Sequence, residues 1–279
     1  MIIRTIFIVI TIFLATPVYA DVLYNENLDG YADKTAAIAG VWGGATDGLV
    51  TLEEGAECRG GSGKCWKINW TEARSIDAPS LAINEPQIYV RFYMKQSGSN
   101  YHSKTLKFHG GRTSSGYSNT TVTNGYTGAV INAAVTGNGA GLNNDNVCAY
   151  RYYSAEDGCL GDCVVGTYTA DYSATGGVPI SSDWHCYEFY AKQSSDEGGD
   201  GAIAFWYDGT LVYSVDCITN RNPANDYFYS HITLGDYTQY TGFIQYYDDI
   251  VVADEYIGPL DYAPSGAATI RASGTAGWR

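Results

Sequence analysis

Cationic side chains that alternate with apolar ones are the first feature of this sequence that could do chemistry. Residues 87–95 read Q-I-Y-V-R-F-Y-M-K, and residues 105–109 read T-L-K-F-H. Successive side chains of a β-strand lie on opposite faces, so each segment predicts a strand with one apolar face. The other face would then carry Arg91 in the first segment, and Lys107 and His109 in the second.

Together, these residue types could remove a proton from a carbon next to a carboxylate. Arg91 has a planar guanidinium group that can bind both oxygens of a carboxylate. His109 or Lys107 could accept the proton as the base, and Tyr190 or Tyr93 could protonate the leaving oxygen. The alternative for each residue is an ordinary polar side chain on a solvent-facing sheet.

The elements that must position these residues are predicted to be antiparallel strands organised around residues 184–258. Residues 184–192 and 201–207 are short runs rich in aromatic and apolar side chains. Asp208 and Gly209 follow at the spacing of a two-residue hairpin turn, which requires positive φ angles. Further strands are predicted at 21–30, 49–53, 65–70, 129–135 and 146–154, and a short helix at 34–39.

Composition favours an all-β protein and excludes some partners. The chain has 33 Gly and 25 Tyr but only 16 Lys and Arg residues, which is typical of a sandwich or barrel with many short turns. A formal net charge of -14 excludes nucleic acid, because phosphates need a basic surface. The same charge disfavours other anionic polymers unless a local basic cleft overrides it.

The two ends of the chain differ in composition from the middle. Arg4, the apolar run 6–15 and the V-Y-A sequence at 18–20 predict a signal peptide of residues 1–20. The apolar run is shorter than the ~20 residues that span a bilayer, so we expect no membrane insertion after cleavage and a secreted or periplasmic location. Residues 21–260 are predicted to form a single domain, and residues 261–279 a flexible tail.

Seven cysteines in an exported chain predict disulfides and one unpaired thiol. Three groups could pair: Cys58 with Cys65, two of Cys148, Cys159 and Cys163, and Cys186 with Cys217. A zinc site is disfavoured, because no second cysteine pair or histidine pair lies at ligand spacing.

From residue 184 onwards the pattern is more specific. The segments W-H-C-Y-E-F-Y-A-K, D-G-A-I-A-F-W-Y-D-G-T-L-V-Y and Y-Y-D-D-I-V-V-A-D together resemble those of concanavalin A-like, laminin G-like jelly rolls. Within this superfamily, residues 86–258 look most similar to the jelly-roll polysaccharide lyases and their uncharacterised relatives. The resemblance implies two stacked antiparallel sheets, a β-sandwich whose concave sheet forms a sugar-binding groove.

Strand alternation places individual residues on this plan. The side chains expected to face the core are Tyr187, Phe189, Ile203, Phe205 and Tyr207. Those expected to face the groove are Trp184, Glu188, Tyr190, Lys192, Ala204 and Trp206. A single β-bulge would invert these assignments. We predict catalytic roles for Arg91, His109, Lys107 and Tyr190, and substrate binding by Tyr93, Trp184, Glu188 and Trp206.

The resemblance implies a protein that binds a polysaccharide and could cleave a uronic-acid polymer by β-elimination. Two alternatives stay open, because a shared fold does not fix function. The chain could be a lectin-like module that binds glycans without cleaving them, or a structural cell-surface protein. A glycoside hydrolase is disfavoured, because the Glu-x-Asp-x-x-Glu strand of the jelly-roll glucanases is absent.

A structural Ca²⁺ ion is a further possibility, although no cofactor is required for the predicted reaction. Glu26 and Asp29 near the start of the domain and Asp249 near its end supply the oxygen ligands that Ca²⁺ prefers. The first and last strands of jelly rolls often lie side by side, which would bring these carboxylates together. The alternative is a solvated acidic edge that discourages edge pairing.

Overall fold

The structure is a computed structural model that describes residues 22–98, 103–110, 130–136, 146–152, 178–179, 181–193, 195, 200–218, 228–235 and 241–260. The elements in chain order are β1 (Val22–Glu26), α1 (Lys34–Gly40), β2 (Trp42–Gly43), β3 (Val50–Glu54), β4 (Lys64–Trp70), β5 (Ser80–Glu85), β6 (Gln87–Gly98), β7 (Ser103–Gly110), β8 (Val130–Thr136), β9 (Asn146–Tyr152), β10 (Val178–Pro179), β11 (His185–Lys192), β12 (Gly201–Tyr207), β13 (Thr210–Ile218), β14 (Tyr229–Leu234) and β15 (Phe243–Ala253). The predicted signal peptide and tail lie outside the described residues.

The strands form two sheets. The first sheet has the order β13-β12-β11-β6-β15-β4-β3, with β1 also paired to β15. The second sheet has the order β10-β9-β8-β7-β14-β5-β2. Adjacent strands run antiparallel in both sheets. This arrangement confirms the predicted all-β jelly roll.

The core lies between the two sheets, and the first sheet turns its predicted apolar face towards it. Phe92 of β6 stacks on Tyr187 of β11, with ring centroids 5.8 Å apart. Phe189 stacks on Phe205 of β12 at 4.4 Å. From the second sheet, Leu106, Phe108, Ile232 and Leu234 are buried in the same cluster. The alternation in residues 87–95, 105–109, 184–192 and 201–207 therefore predicted the core faces correctly.

β15 pairs with three strands of the first sheet: β6, β4 and β1. One side pairs with β6, while the other pairs first with β4 and then with β1. The change from β4 to β1 occurs at Asp248 and Asp249, where the register with β6 shifts and Asp249 has a φ of 47°. The adjacency of the first and last strands agrees with the sequence-based expectation.

Local sequence signals account for the turn after β12 and for the helix. Asp208 and Gly209 have φ angles of 47° and 78°, which confirms the predicted hairpin turn between β12 and β13. The Asp208 carboxylate also accepts the backbone N–H of Cys186, so the turn is fastened to β11. α1 begins after Asp33, whose Oδ1 accepts the Ala36 N–H at 2.9 Å. In the described part of the chain, no helix has the length and apolar character needed to cross a membrane.

One cysteine prediction is confirmed and another is wrong. Cys58 and Cys65 form a disulfide that closes the loop between β3 and β4. Cys186 is buried and unpaired rather than joined to Cys217. The reason is that β12 lies between β11 and β13, and Cys186 begins β11 whereas Cys217 lies near the far end of β13. The pairing of Cys159 or Cys163 concerns residues that lie outside the described ranges.

Candidate functional site

The outer face of the second sheet carries two of the predicted catalytic residues. Lys107 and His109 lie in β7, where Leu106 and Phe108 are fully buried in the core. Because faces alternate along a strand, positions 107 and 109 belong to the outer face. This is the face on which the sequence predicted them.

A third basic residue, His231, comes from the neighbouring strand. His231 lies directly opposite His109 in the pairing of β7 with β14, and Thr233 lies opposite Lys107. His231 is half-buried, while Ile232 is fully buried in the core, so His231 lies on the outer face. Directly paired residues have Cβ atoms about 5 Å apart, which is within the reach of one sugar unit.

On the other side of β7, the strands β8 and β9 place an amide and a phenol in line with position 107. Asn132 of β8 is paired with Lys107, and Tyr150 of β9 is paired with Asn132. We name positions 107, 109, 132 and 231 the second-sheet face. Sequence reasoning missed His231 because no strand was predicted at 229–234, although His231 and Thr233 alternate there with Ile232 and Leu234.

Arg91 and Glu188 lie in the first sheet, where they bind the backbone of the covering segment, residues 254–260. Both are almost inaccessible, with 2% and 1% of their surface exposed. Glu188 Oε1 accepts the Ile257 N–H at 2.7 Å, and Oε2 accepts the Gly258 N–H at 2.8 Å. Arg91 Nη1 donates to the Gly258 carbonyl at 3.1 Å. Burial raises the pKa of Glu188 to about 7, although the two N–H groups and Arg91 oppose the rise.

Tyr93 lies under the same covering segment. It is 5% exposed, and its hydroxyl accepts the Leu260 N–H at 2.8 Å. The guanidinium carbon of Arg59, from the disulfide loop, lies 3.5 Å from the centre of the Tyr93 ring. One face of the Tyr93 ring and its hydroxyl are thus occupied by protein groups.

The remaining aromatic candidates are half-buried on the outer face of the first sheet. Tyr190 stacks on Tyr89, with ring centroids 4.5 Å apart. Trp206 lies 5.0 Å from Tyr256 of the covering segment. Trp184 is separate from these rings and contacts Tyr246 edge-on at 6.5 Å.

The expectation of one groove that combines Arg91, Tyr190, Lys107 and His109 is wrong. Arg91 and Tyr190 lie on the outer face of the first sheet, whereas positions 107 and 109 lie on the outer face of the second. The whole core separates the two faces. Alternation predicts which face of a strand is polar, but it does not predict that consecutive strands β6 and β7 belong to different sheets.

The three predicted Ca²⁺ ligands have protein partners. Glu26 Oε1 accepts the Leu28 N–H at 2.8 Å, Asp29 Oδ1 accepts the Lys64 N–H at 2.7 Å, and Asp249 pairs with the Arg59 guanidinium. Among the described residues, no group of three or more His, Cys, Asp or Glu side chains is arranged to hold a metal ion. These residues therefore do not fit a metal site as they are placed. The Ca²⁺ ion stays a prediction, which a lower melting temperature in EDTA would support.

Comparisons with known proteins identify the fold. No protein-family model and no curated protein matches the chain. The alginate lyase Aly36B has a similar structure, with a TM-score of 0.57 and 14% identity over 82% of this chain and 95% of that chain. An endo-β-1,4-glucuronan lyase from the fungus Trichoderma reesei has a TM-score of 0.53 and 14% identity over 85% of this chain and 97% of that chain.

Two further solved structures are similar over nearly their whole lengths. A marine alginate lyase from Aplysia kurodai has a TM-score of 0.52 and 10% identity over 84% of this chain and 99% of that chain. The cellulose-induced protein Cip1 has a TM-score of 0.51 and 15% identity over 85% of this chain and 99% of that chain. The likeness to jelly-roll polysaccharide lyases that the sequence indicated is therefore confirmed for the fold.

Proposed function

We propose that this chain is an exported carbohydrate-active protein that cleaves a uronic-acid polymer by β-elimination at the second-sheet face. The observation that carries the proposal is the register that puts Lys107, His109, His231 and Asn132 in adjacent positions. This set contains three basic side chains and an amide, all of which can donate hydrogen bonds. Solved structures with the same fold include variants of Aly36B in complex with an alginate trisaccharide and an alginate tetrasaccharide, which supports a polysaccharide as the ligand.

The residues divide the reaction between them. Lys107 or His109 takes the proton from the sugar carbon next to the carboxylate, and the electrons of that C–H bond form the new double bond as the glycosidic C–O bond breaks. Asn132 and His231 donate hydrogen bonds to the carboxylate, where negative charge grows in the transition state. Tyr150 of β9, the strand next to β8, supplies the phenol that donates a proton to the leaving oxygen.

The test is the ultraviolet absorbance of the unsaturated sugar that β-elimination creates. Purified protein is incubated with alginate, polyglucuronate and pectate, and we expect the absorbance to rise with at least one of them. Lys107→Ala and His109→Ala should each lower the rate by about 100-fold or more if the residue is the base. Lys192→Ala, which removes a cation from the first sheet, is the matched control and should leave the rate unchanged.

Two results would contradict this proposal. If no polymer gives an absorbance rise but the protein is retained on a polysaccharide gel, the function is glycan binding without cleavage. If activity is present but survives both substitutions, the site is elsewhere. Export is tested separately, because the secreted protein should begin at Asp21 when its N-terminus is sequenced.

A further inference from the structure

Four half-buried aromatic rings form a continuous patch on the outer face of the first sheet. We name Tyr89, Tyr190, Trp206 and Tyr256 the aromatic platform. The ring centroids of Tyr89 and Tyr190 are 4.5 Å apart, those of Tyr89 and Trp206 5.9 Å, and those of Trp206 and Tyr256 5.0 Å. The rings come from β6, β11, β12 and the covering segment, so they are close only in the folded chain.

The platform extends to an exposed apolar residue on the next strand. Leu211 of β13 is paired with Trp206 and is 49% exposed, one of the most exposed large apolar side chains among the described residues. Tyr93 lies on the same face of the sheet but is covered by Arg59 and Leu260. The platform therefore combines three rings of this face that the covering segment leaves accessible with Tyr256 of the segment itself.

The charges around the platform are mainly acidic. Glu255 is exposed beside it, whereas Glu188 is buried beneath the covering segment, directly opposite Arg91. Burial raises the pKa of Tyr89, and electrostatic interactions with Tyr190, Glu188 and Glu255 raise it further. The nearby cation, Lys192, has its charge offset by Asp200, with Nζ and Oδ2 3.4 Å apart. The exposed Glu255 and the net charge of -14 disfavour a carboxylate-bearing polymer and leave a neutral one unaffected.

We propose that the aromatic platform is a second glycan-binding site that takes a neutral polysaccharide. Pyranose rings present C–H groups that pack on aromatic surfaces, while tyrosine hydroxyls bond sugar hydroxyls. The core separates the platform from the second-sheet face, so both faces can be occupied together. The platform would hold the protein on neutral polymers while the other face acts on a charged one.

Affinity electrophoresis in native gels tests this site directly. Galactomannan, xyloglucan or hydroxyethyl cellulose is cast into the gel, and we expect at least one to retard the protein. Trp206→Ala and Tyr256→Ala should remove most of the retardation, whereas Trp206→Phe should keep it because a ring remains. Trp184→Ala, just before β11 and outside the platform, is the matched control and should leave retardation unchanged.

Tyr256 provides a variant that is safe for the fold, because it lies on the covering segment and its hydroxyl makes only a long 3.4 Å bond to the Gly209 carbonyl. Thermal melts identify any variant that fails to fold. The absorbance assay is run on the same variants, and Trp206→Ala should not change it, so this site and the lyase site can fail independently.

Three outcomes would overturn the platform as a neutral-glycan site. The first is no retardation by any of the three neutral polymers. The second is retardation by alginate that Trp206→Ala removes, which would make the platform part of a polyuronate site. The third is a concentration-dependent dimer in sedimentation that Trp206→Ala dissociates, because the occupant would then be a second copy of the chain.

Discussion

Glu188 is a buried carboxylate whose two oxygens each accept a backbone N–H, from Ile257 and Gly258. Its side chain therefore completes the hydrogen bonding of the covering segment. Arg91, directly opposite in the register, binds the carbonyl of Gly258. The pair binds both the N–H and the carbonyl of Gly258, which is a structural task rather than a catalytic one.

Glu188→Ala should lower the free energy of unfolding by about 3 kcal/mol, because it leaves two buried N–H groups and the Arg91 charge without their partner. Urea unfolding measures the change. Glu188→Gln keeps one acceptor oxygen and should cost less. Lys192→Ala on the same strand removes an exposed ion pair and should cost less than about 1 kcal/mol. Equal stability of the Glu188→Ala variant and the parent would show that Glu188 does not hold the segment.

Asp248 should make the protein less stable as the pH rises. Burial raises its pKa to about 7, and the charge of Asp249 adds to the rise, while N–H groups of Arg59 and Asp249 oppose it. The folded state therefore holds this proton over a pH range in which the unfolded state has lost it. The resulting stabilisation is complete below a pH of about 4 and is lost as the pH rises through about 7.

Asp248→Asn removes this titration. Between the two pKa values, the unfolding free energy of the parent should fall by up to about 1.4 kcal/mol per pH unit more steeply than that of the variant. Urea titrations at several pH values measure both slopes. Parallel slopes would mean that Asp248 titrates near its ordinary pKa in the folded protein.

At the scale of residues, strand alternation predicted correctly on which face of a strand a side chain lies. It did not predict which other parts of the chain cover that side chain. The alternation around Arg91 indicated the outer face of β6, and Arg91 is on that face. A period of two carries no information about what lies above a face, so the covering segment over Arg91 could not be foreseen. The segment itself reads as D-E-Y-I-G-P-L, which resembles an ordinary exit from a strand.

At the scale of elements, the β12–β13 hairpin and the covering segment are in contact. A Cβ at Gly209 would lie 3.0 Å from Pro259 Cδ and 3.1 Å from Pro259 Cγ. Gly209 also has a φ of 78°, which side chains rarely adopt. Gly209 thus allows both the positive φ angle of the turn and the close packing of Pro259 against it.

Gly209→Ala should destabilise the fold by about 2 kcal/mol, from the left-handed backbone and the crowding of Pro259 together. Two controls separate these causes. Gly55 has a φ of 93° but nothing within 4 Å, so Gly55→Ala reports the backbone cost alone. Gly48 has neither feature, and Gly48→Ala should be close to neutral. If Gly209→Ala costs no more than Gly55→Ala in urea unfolding, the hairpin and the covering segment are energetically independent.

The strands that the sequence did not predict explain why the candidate site was incomplete. β5 and β14 are short strands of six residues each. Each has at most two apolar residues that alternate towards the core, which in β14 are Ile232 and Leu234. Such brief patterns do not separate a strand from a loop. The pairing of His109 with His231 joins strands far apart in the chain, and no local pattern specifies a long-range register.

At the scale of the whole molecule, the net charge of -14 opposes the approach of a polyuronate. If the chain is a lyase, KM for such a polymer should fall when NaCl is raised from about 20 mM to about 150 mM, because salt screens long-range repulsion. Initial rates at both salt concentrations measure this effect. Retardation by a neutral polymer should be insensitive to salt and serves as the control. A rise in KM would mean that the local cations of the second-sheet face outweigh the net charge.

The position of β15 has a consequence for the time course of folding. This strand joins β6 to β4 and β1, yet it is the last strand of the chain among the described residues. While the polypeptide is being synthesised, the edges of β4 and β6 that pair with β15 stay unpaired until residues 243–253 have been made. Pairings between such distant segments form slowly, and unpaired strand edges can associate with other chains in the meantime. Premature termination before residue 243 would therefore yield an aggregating product rather than a smaller folded domain.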